Sequence, residues 1–214
     1  MEVKIVSPPV SIYLQTKLDK KVIDYLWNII DVAKAKNKNL KSKLIGNISQ
    51  SFLLDDEDSF FYKSVCIPLV KCFRENNPHS GDPVTQNALM GPNSQLVLDK
   101  FWVNYQYKTE FNPYHDHTGV YSFAIWMKIP YSWEDQKQLP QFSDIKDSNI
   151  KVGMFQFEYS DTIGGISTYG YKLSPELEGN MVFFPAKLRH CVHPFYETEE
   201  PRISIAGNIS YLPA

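Results

Sequence analysis

Cysteine is scarce in this 214-residue chain, and the few cysteines form no disulfide or metal-binding pattern. Cys66, Cys72 and Cys191 make no CxxC pair and are odd in number, which argues against a zinc ribbon and a disulfide scaffold. No apolar run reaches the roughly 18 residues of a membrane span, and MEVKIVSPPV lacks the basic head and apolar core of a signal peptide. We therefore predict a cytoplasmic protein with free thiols and no membrane partner.

Neither sign of charge dominates, because 22 basic and 24 acidic residues leave a formal net charge of -2. The lysines are spread over a helical stretch and loops, whereas a nucleic-acid surface concentrates positive charge on one face. We do not expect duplex nucleic acid as a partner. A composition of 43% hydrophobic and 21% charged residues is typical of a globular protein, and the length predicts a single domain over residues 1–214.

Helical periodicity is confined to the N-terminal part of the chain, about residues 1–95. In DKKVIDYLWNIIDVAKAKN, from Asp19 to about Asn37, apolar residues recur at spacings of three and four, and Asp19 is a candidate N-cap. The segment SFFYKSVCIPLVKCFREN predicts a second amphipathic helix, with Pro68 as a kink or boundary. We expect both helices to pack outside a sheet.

Strand-like segments rich in aromatic and β-branched residues follow from about residue 96 to the end. They are LVLDKFWVNYQY, YSFAIWMKIPY, VGMFQFEYS, NMVFFPA and RISIAGNISY. This order predicts an α+β fold whose β part closes into a barrel or sandwich. The polar stretch 133–150 is expected to be a structureless loop, serving either as a lid or as a plain surface insertion.

Two histidines flank an aspartate in NPYHDHTGVYSF. In an extended segment side chains alternate, so His115 and His117 share one face and Asp116 points to the other. A third imidazole, His190, follows the apolar strand NMVFFPA, whereas His193 is expected at the rim. Three ligands on one face leave open positions, as in non-haem Fe(II) sites, while a structural zinc site would need a fourth ligand.

The last strand, RISIAGNIS, places Arg202 and Ser204 on one face and the isoleucines on the other. A guanidinium beside a hydroxyl suits a carboxylate, which it can meet with two parallel hydrogen bonds. The alternative is an ion pair at the strand edge with one of three nearby acids, Glu197, Glu199 or Glu200.

The succession of HxH, FFPAKLRHCVHP and RISIAGN resembles the Fe(II)- and 2-oxoglutarate-dependent oxygenases, whose double-stranded β-helix carries HxD…H followed by RxS. The similarity covers about residues 100–211 and is closest to small oxygenases common in marine bacteria and their phages. It implies an α+β fold with a jelly-roll or cupin-like core. It also implies a dioxygenase, most simply a hydroxylase, that couples 2-oxoglutarate decarboxylation to succinate and CO2 with C–H oxidation of a small-molecule or peptide substrate.

Carried onto this chain, the family pattern makes His115, His117 and His190 the Fe(II) ligands. One departure matters, because the usual second ligand is a carboxylate and position 117 is histidine. Either the site has three histidines and Asp116 supports the ligands from outside or faces solvent, or a local bulge brings Asp116 to the metal. We favour the three-histidine site.

The same resemblance assigns Arg202 and Ser204 to the C5 carboxylate of the cosubstrate, 2-oxoglutarate. Tyr105 occupies the place of a cosubstrate-binding tyrosine in many relatives, although a core aromatic is the equal alternative. Lys128 could supply the cosubstrate cation in place of Arg202, as a strand lysine does in some branches of the superfamily.

Two further classes of protein stay open. The spacing of Gly179, Pro185 and His190 resembles a cupin motif of a metal protein that does not use 2-oxoglutarate, but Ser122 stands where the cupin motif has glutamate. The second is a non-catalytic binding module with remnant histidines. The sequence identifies neither the primary substrate nor the oligomeric state.

Overall fold

The structure, a computed structural model, describes residues 12–37, 46–77, 95–161 and 163–212. The strands in these ranges are β1 (Leu14–Lys17), β2 (Gln50–Leu53), β3 (Leu96–Gln106), β4 (Asn112–His115), β5 (Tyr121–Lys128), β6 (Phe155–Ser160), β7 (Ile166–Tyr171), β8 (Asn180–Pro185), β9 (Arg189–Val192) and β10 (Arg202–Tyr211). They form a six-stranded sheet in the order β1-β8-β5-β10-β3-β2 and a four-stranded sheet in the order β4-β9-β6-β7. All the strand pairs are antiparallel.

Two helical segments precede the long strands, as the periodicity predicts. Helix α1 spans Lys20–Ala35, and the side chain of Asp19 accepts a hydrogen bond from the backbone nitrogen of Val22 at 2.9 Å, which confirms the predicted N-cap. A π-helical turn, Tyr62–Cys66, continues directly into α2, Ile67–Asn76. Pro68 therefore lies in the first turn of α2, at the boundary between the π-helical turn and the α-helix.

The helices cover the outer face of the larger sheet. Leu26 and Ile30 of α1 are fully buried in one apolar cluster with residues of β3, β5 and β10. Phe61, just before the π-helical turn, stacks on Phe101 of β3 with ring centroids 5.1 Å apart. A second cluster, which includes Trp126, lies between the two sheets. The larger sheet is thus buried on both faces, so its strands lack a clean polar alternation.

The five predicted strands correspond to β3, β5, β6, β8 and β10. The other five, β1, β2, β4, β7 and β9, are only four to six residues long and were not predicted. As a consequence, the N-terminal part contributes strands β1 and β2 to the larger sheet as well as the helices expected there.

The stretch 133–150 is not the structureless loop expected from its polarity. It contains helix α3 (Trp133–Gln136) and two 3-10 turns, and Trp133 and Ile150 are buried in a small core with Val152 and Met154. None of its residues lines the cavity between the sheets. The geometry supports the packed insertion rather than the lid.

All three cysteines are free thiols, and Cys66 and Cys191 are buried while Cys72 is exposed. Within the described ranges, no helix combines the length and the hydropathy that a transmembrane segment requires.

Candidate active site

A cavity of about 460 Å³ lies between the inner faces of the two sheets. Arg202, Ser204, Ala206 and Asn208 of β10 line it at every second position, whereas the isoleucines of β10 belong to the core under the helices and only Ile205 among them also borders the cavity. The alternation predicted for this strand is therefore present.

The structure brings the three predicted histidines together at this cavity. His115 ends β4 and lies opposite His190 of β9, and His117 follows two residues later, where its backbone nitrogen donates to the carbonyl of Ala186 at 2.9 Å. The ring centroids are separated by 4.9 Å for His115 and His117, 4.3 Å for His115 and His190, and 5.0 Å for His117 and His190. One ring nitrogen of each lies within 4.8 Å of the other two, a spacing that could hold a metal ion.

The backbone orients two of these imidazoles. His115 Nδ1 lies 2.7 Å from the carbonyl oxygen of Pro113, and His190 Nδ1 lies 3.0 Å from that of Leu188. A carbonyl oxygen only accepts hydrogen bonds, so each Nδ1 carries the proton and each Nε2 keeps its lone pair. Metal-binding histidines are commonly oriented in this way.

Burial keeps the three imidazoles in the neutral form that binds metals. Desolvation is the largest cause that lowers the pKa of His117 and of His190 to about 3; the repulsion that protonated neighbours in the cluster would exert comes next, followed for His117 by the charges of Lys100 and Lys187. Desolvation also lowers the pKa of His115. Three neutral nitrogen ligands on one side of a cavity fit Fe(II) with open coordination positions.

Asp116 does not join this cluster. Its carboxylate accepts a hydrogen bond from Lys187 Nζ at 3.0 Å, and both side chains are about two-fifths exposed. The group of side chains that could hold a metal consists of the three histidines alone among the described residues. Asp116 borders the same cavity, but its carboxylate lies outside this group of three histidines.

His193 lies outside the cavity lining. Its Nε2 is 3.0 Å from Gln156 Oε1 and 3.4 Å from Cys191 Sγ. It is a packed residue beside the smaller sheet rather than the rim residue expected. His190, not His193, is the histidine that meets His115 and His117.

Arg202 is buried at the cavity, with 2% of its surface exposed. Its Nη1 donates to Tyr131 Oη at 2.5 Å and to the carbonyl of Gly153 at 3.2 Å, and its Nη2 donates to Gln106 Oε1. In the part of the chain that the structure describes, no carboxylate pairs with this guanidinium.

The three acids considered as edge partners of Arg202 are bonded to other residues. The carboxylate of Glu197 accepts a hydrogen bond from Gln136. Those of Glu199 and Glu200 accept hydrogen bonds from Lys108 and Lys128, respectively. The alternative of a strand-edge ion pair for Arg202 is therefore wrong. The same contacts direct Lys128 to Glu200, and Lys128 does not line the cavity.

Tyr105, expected to bind the cosubstrate, is not among the residues that line the cavity. On β3, Trp102 and Asn104 line the cavity, whereas Tyr105 lies in the core beneath the helices, with its ring edge-on to Phe52 at 5.9 Å between centroids. Adjacent strand positions face opposite sides, so Tyr105 points away from the cavity. The alternative considered for it, a core aromatic, is what the structure shows.

Sequence reasoning missed three polar residues at the site. Gln106 and Tyr131 hold Arg202, and Asn112 lines the cavity with Nδ2 at 3.4 Å from His115 Nε2 and with a buried Oδ1 that has no hydrogen-bond partner. Gln106 left a signal, since it is a polar residue at the end of a largely apolar strand. The function of this polar residue could not be inferred without the strand register, which places Gln106 opposite Arg202.

Comparisons with known proteins agree with this geometry. Residues 100–208, half of the chain, match the family model described as "Putative 2OG-Fe(II) oxygenase". No curated protein matches the sequence. The solved prolyl-4-hydroxylase of Pseudomonas putida superposes with a TM-score of 0.58 at 12% identity, covering 94% of this chain and 93% of the hydroxylase.

A second solved structure, the non-haem alpha-ketoglutarate-dependent carbocyclase SnoK from nogalamycin biosynthesis, superposes with a TM-score of 0.55 at 8% identity. The match covers 95% of this chain and 83% of SnoK. These similarities show the fold, which is the predicted α+β double-stranded β-helix. On the evidence of the family model, the chain belongs to the 2OG-Fe(II) oxygenases, an oxidoreductase family that uses Fe(II), 2-oxoglutarate and dioxygen.

Proposed function

We propose that the chain is a hydroxylase that oxidises a C–H bond of a small-molecule or peptide substrate. His115, His117 and His190 would hold Fe(II), and Arg202 and Ser204 would bind the C5 carboxylate of 2-oxoglutarate. One observation carries the proposal: the same cavity is lined by three neutral imidazoles and by a buried guanidinium that has no acidic partner among the described residues. A cation without an anion in a buried site calls for an anionic ligand.

The residues of the chain contribute orientation and exclusion of water. His115 and His190 are held through Nδ1, so that each Nε2 keeps a fixed direction. The guanidinium of Arg202 can donate charged hydrogen bonds to a carboxylate. Ser204 lines the same cavity and offers its hydroxyl as a further donor.

Aromatic walls, which include Trp126 and Phe184, keep the cavity apolar around these groups. The chemistry that bound iron supplies is activation of dioxygen coupled to oxidative decarboxylation of 2-oxoglutarate to succinate and CO2.

A cupin that does not use 2-oxoglutarate is the weaker alternative. It leaves the buried Arg202 without a function. In addition, the hydroxyl of Ser122, at the position of the cupin glutamate, donates to Asn208 Oδ1 at 2.8 Å and takes no part in the histidine cluster.

We also propose that residues 1–214 form one domain located in the cytoplasm. The strands β1 and β2 support the first part, because they pair with β8 and β3 of the β-helix and so tie the N-terminal part to the larger sheet.

The test is an anaerobic titration with Fe(II) and then with 2-oxoglutarate, followed through the weak visible charge-transfer band of the chelate. We expect a band with the wild type, none with His117→Ala, and a band that requires much more 2-oxoglutarate with Arg202→Ala. Succinate release in air then reports turnover. Iron binding without a response to 2-oxoglutarate would favour the assignment as a cupin that does not use 2-oxoglutarate. The absence of iron binding would refute the assignment as an enzyme of this family.

A further inference from the structure

The contacts of Arg202 are unusual for a buried guanidinium because all of them are neutral. They are the side-chain oxygen of Gln106, the hydroxyl of Tyr131 and the backbone carbonyl of Gly153. Buried charges in proteins are generally paired, since removing an ion from water costs several kcal/mol. Here the hydrogen-bonding capacity of the guanidinium is met in part, while its charge is not balanced by any described residue.

The orientation of the Gln106 amide is determined by its other contacts. Gln106 is 2% exposed and lies directly opposite Arg202 in the register of β3 and β10. Its Nε2 donates to the carbonyl of Glu110 at 2.6 Å and to the carbonyl of His193 at 3.3 Å. Both amide protons are therefore engaged, and Oε1 is the atom left to face Arg202.

Tyr131 and Gly153 hold the other side of the guanidinium. Tyr131 Oη donates to the carbonyl of Gly153 at 2.7 Å and accepts from Arg202 Nη1 at 2.5 Å. Gly153 has a φ of +65°, and a Cβ built on it would lie 2.7 Å from the ring of Tyr131. Glycine is therefore required at this position, because a side chain would displace the tyrosine that orients Arg202.

From this arrangement we propose that Gln106 is a positioning residue that orients Arg202 while leaving its positive charge available to the cosubstrate. The neutrality of residue 106 then determines a preference for 2-oxo acids that carry a second, distal carboxylate. A glutamate has the same length as glutamine and would balance Arg202 internally, leaving less attraction for an external carboxylate. It would also lose the two hydrogen bonds that Nε2 donates to the carbonyls of Glu110 and His193. The inference rests on the proposed function of the site.

The test compares two 2-oxo acids of equal chain length, 2-oxoglutarate and 2-oxopentanoate, which lacks the distal carboxylate. Their dissociation constants are measured on the anaerobic Fe(II)-loaded protein by titration calorimetry. Hydrogen bonds to charged groups contribute about 1.5–3 kcal/mol, so the wild type should prefer 2-oxoglutarate by about tenfold to a hundredfold. In Gln106→Glu the affinity for 2-oxoglutarate should fall until the two acids bind almost equally, with the affinity for 2-oxopentanoate unchanged.

Gln106→Leu is the matched control, because it also loses the two hydrogen bonds that Nε2 donates, and in addition the one that Oε1 accepts from Arg202, without adding a charge. It should weaken 2-oxoglutarate binding but retain a clear preference for it. If the role of Gln106 were merely structural, both variants would bind both acids more weakly. Circular dichroism and Fe(II) affinity establish that each variant is folded. If Gln106→Glu does not fold, the leucine variant decides the matter, since loss of its preference would refute the role of neutrality.

The possible failures are distinguishable. A wild type that binds 2-oxoglutarate, with a glutamate variant that keeps the wild-type preference, would overturn the role of Gln106 and leave the proposed function intact. A wild type that binds neither acid would reject the proposed function itself.

Discussion

The pair of substitutions Asp116→Ala and His117→Ala tests which of two adjacent residues serves the metal. His117 belongs to the cluster with His115 and His190, whereas Asp116 is bonded to Lys187. We expect His117→Ala to weaken Fe(II) binding by more than about 100-fold, since even partners that only orient metal ligands contribute 10–100-fold.

The expected effect of Asp116→Ala follows from the exposure of its ion pair. The side chains of Lys187 and Asp116 are 41% and 42% exposed, and exposed pairs contribute about 0–1 kcal/mol. Even if all of that contribution were lost from metal binding, the dissociation constant would change by no more than about fivefold.

The assay is an anaerobic competition titration of Fe(II) against a coloured chelator, performed on the wild type and both variants. His117→Asp is a useful companion, because it returns a carboxylate to the cluster and should retain metal binding. A larger loss of affinity in Asp116→Ala than in His117→Ala would refute the three-histidine assignment.

Three further predictions follow from individual contacts. Lys128→Ala and Tyr105→Phe should leave the affinity for 2-oxoglutarate unchanged in the same titration, because neither residue lines the cavity; a loss in either variant would contradict that placement. Asp19→Ala removes the N-cap of α1 and should lower the free energy of unfolding in urea by about 1 kcal/mol. Burial, followed by the charges of Arg202 and Lys151, lowers the pKa of His193 from 6.5 to about 4. The unfolded chain then binds the proton first, so stability should fall as the pH drops from about 6.5 towards 4, and His193→Gln should reduce this dependence in urea unfolding of the metal-free protein.

Several features of the site followed from the sequence because they depend only on local geometry. The two-residue period of a strand placed Arg202 and Ser204 on one face, and the HxH spacing allowed His115 and His117 to meet. Similarly, apolar residues at helical spacing and a capping aspartate were sufficient for α1. The longer strands were predictable because each is a run of residues that favour a buried sheet.

The short strands were not predictable in the same way. Strands β4 and β9, which carry His115 and His190, are four residues each. They depend on pairing with each other and, for β9, on pairing with β6. Strands β1 and β2 likewise depend on the partners they find in the larger sheet. Because the stabilising contacts lie across the sheet and not along the chain, the local sequence contains little of the signal.

The sequence by itself determined the longer elements, the relative facing of residues within a strand, and the set of histidines available to a metal. Only the tertiary structure decided which face of β3 meets the cavity, and hence that Gln106 rather than Tyr105 contacts Arg202. It alone also brought Tyr131 and Gly153 to Arg202 from 71 and 49 residues away in the chain. The physical reason is that a period of two fixes which residues share a face, whereas the burial of that face depends on what the rest of the chain packs against it.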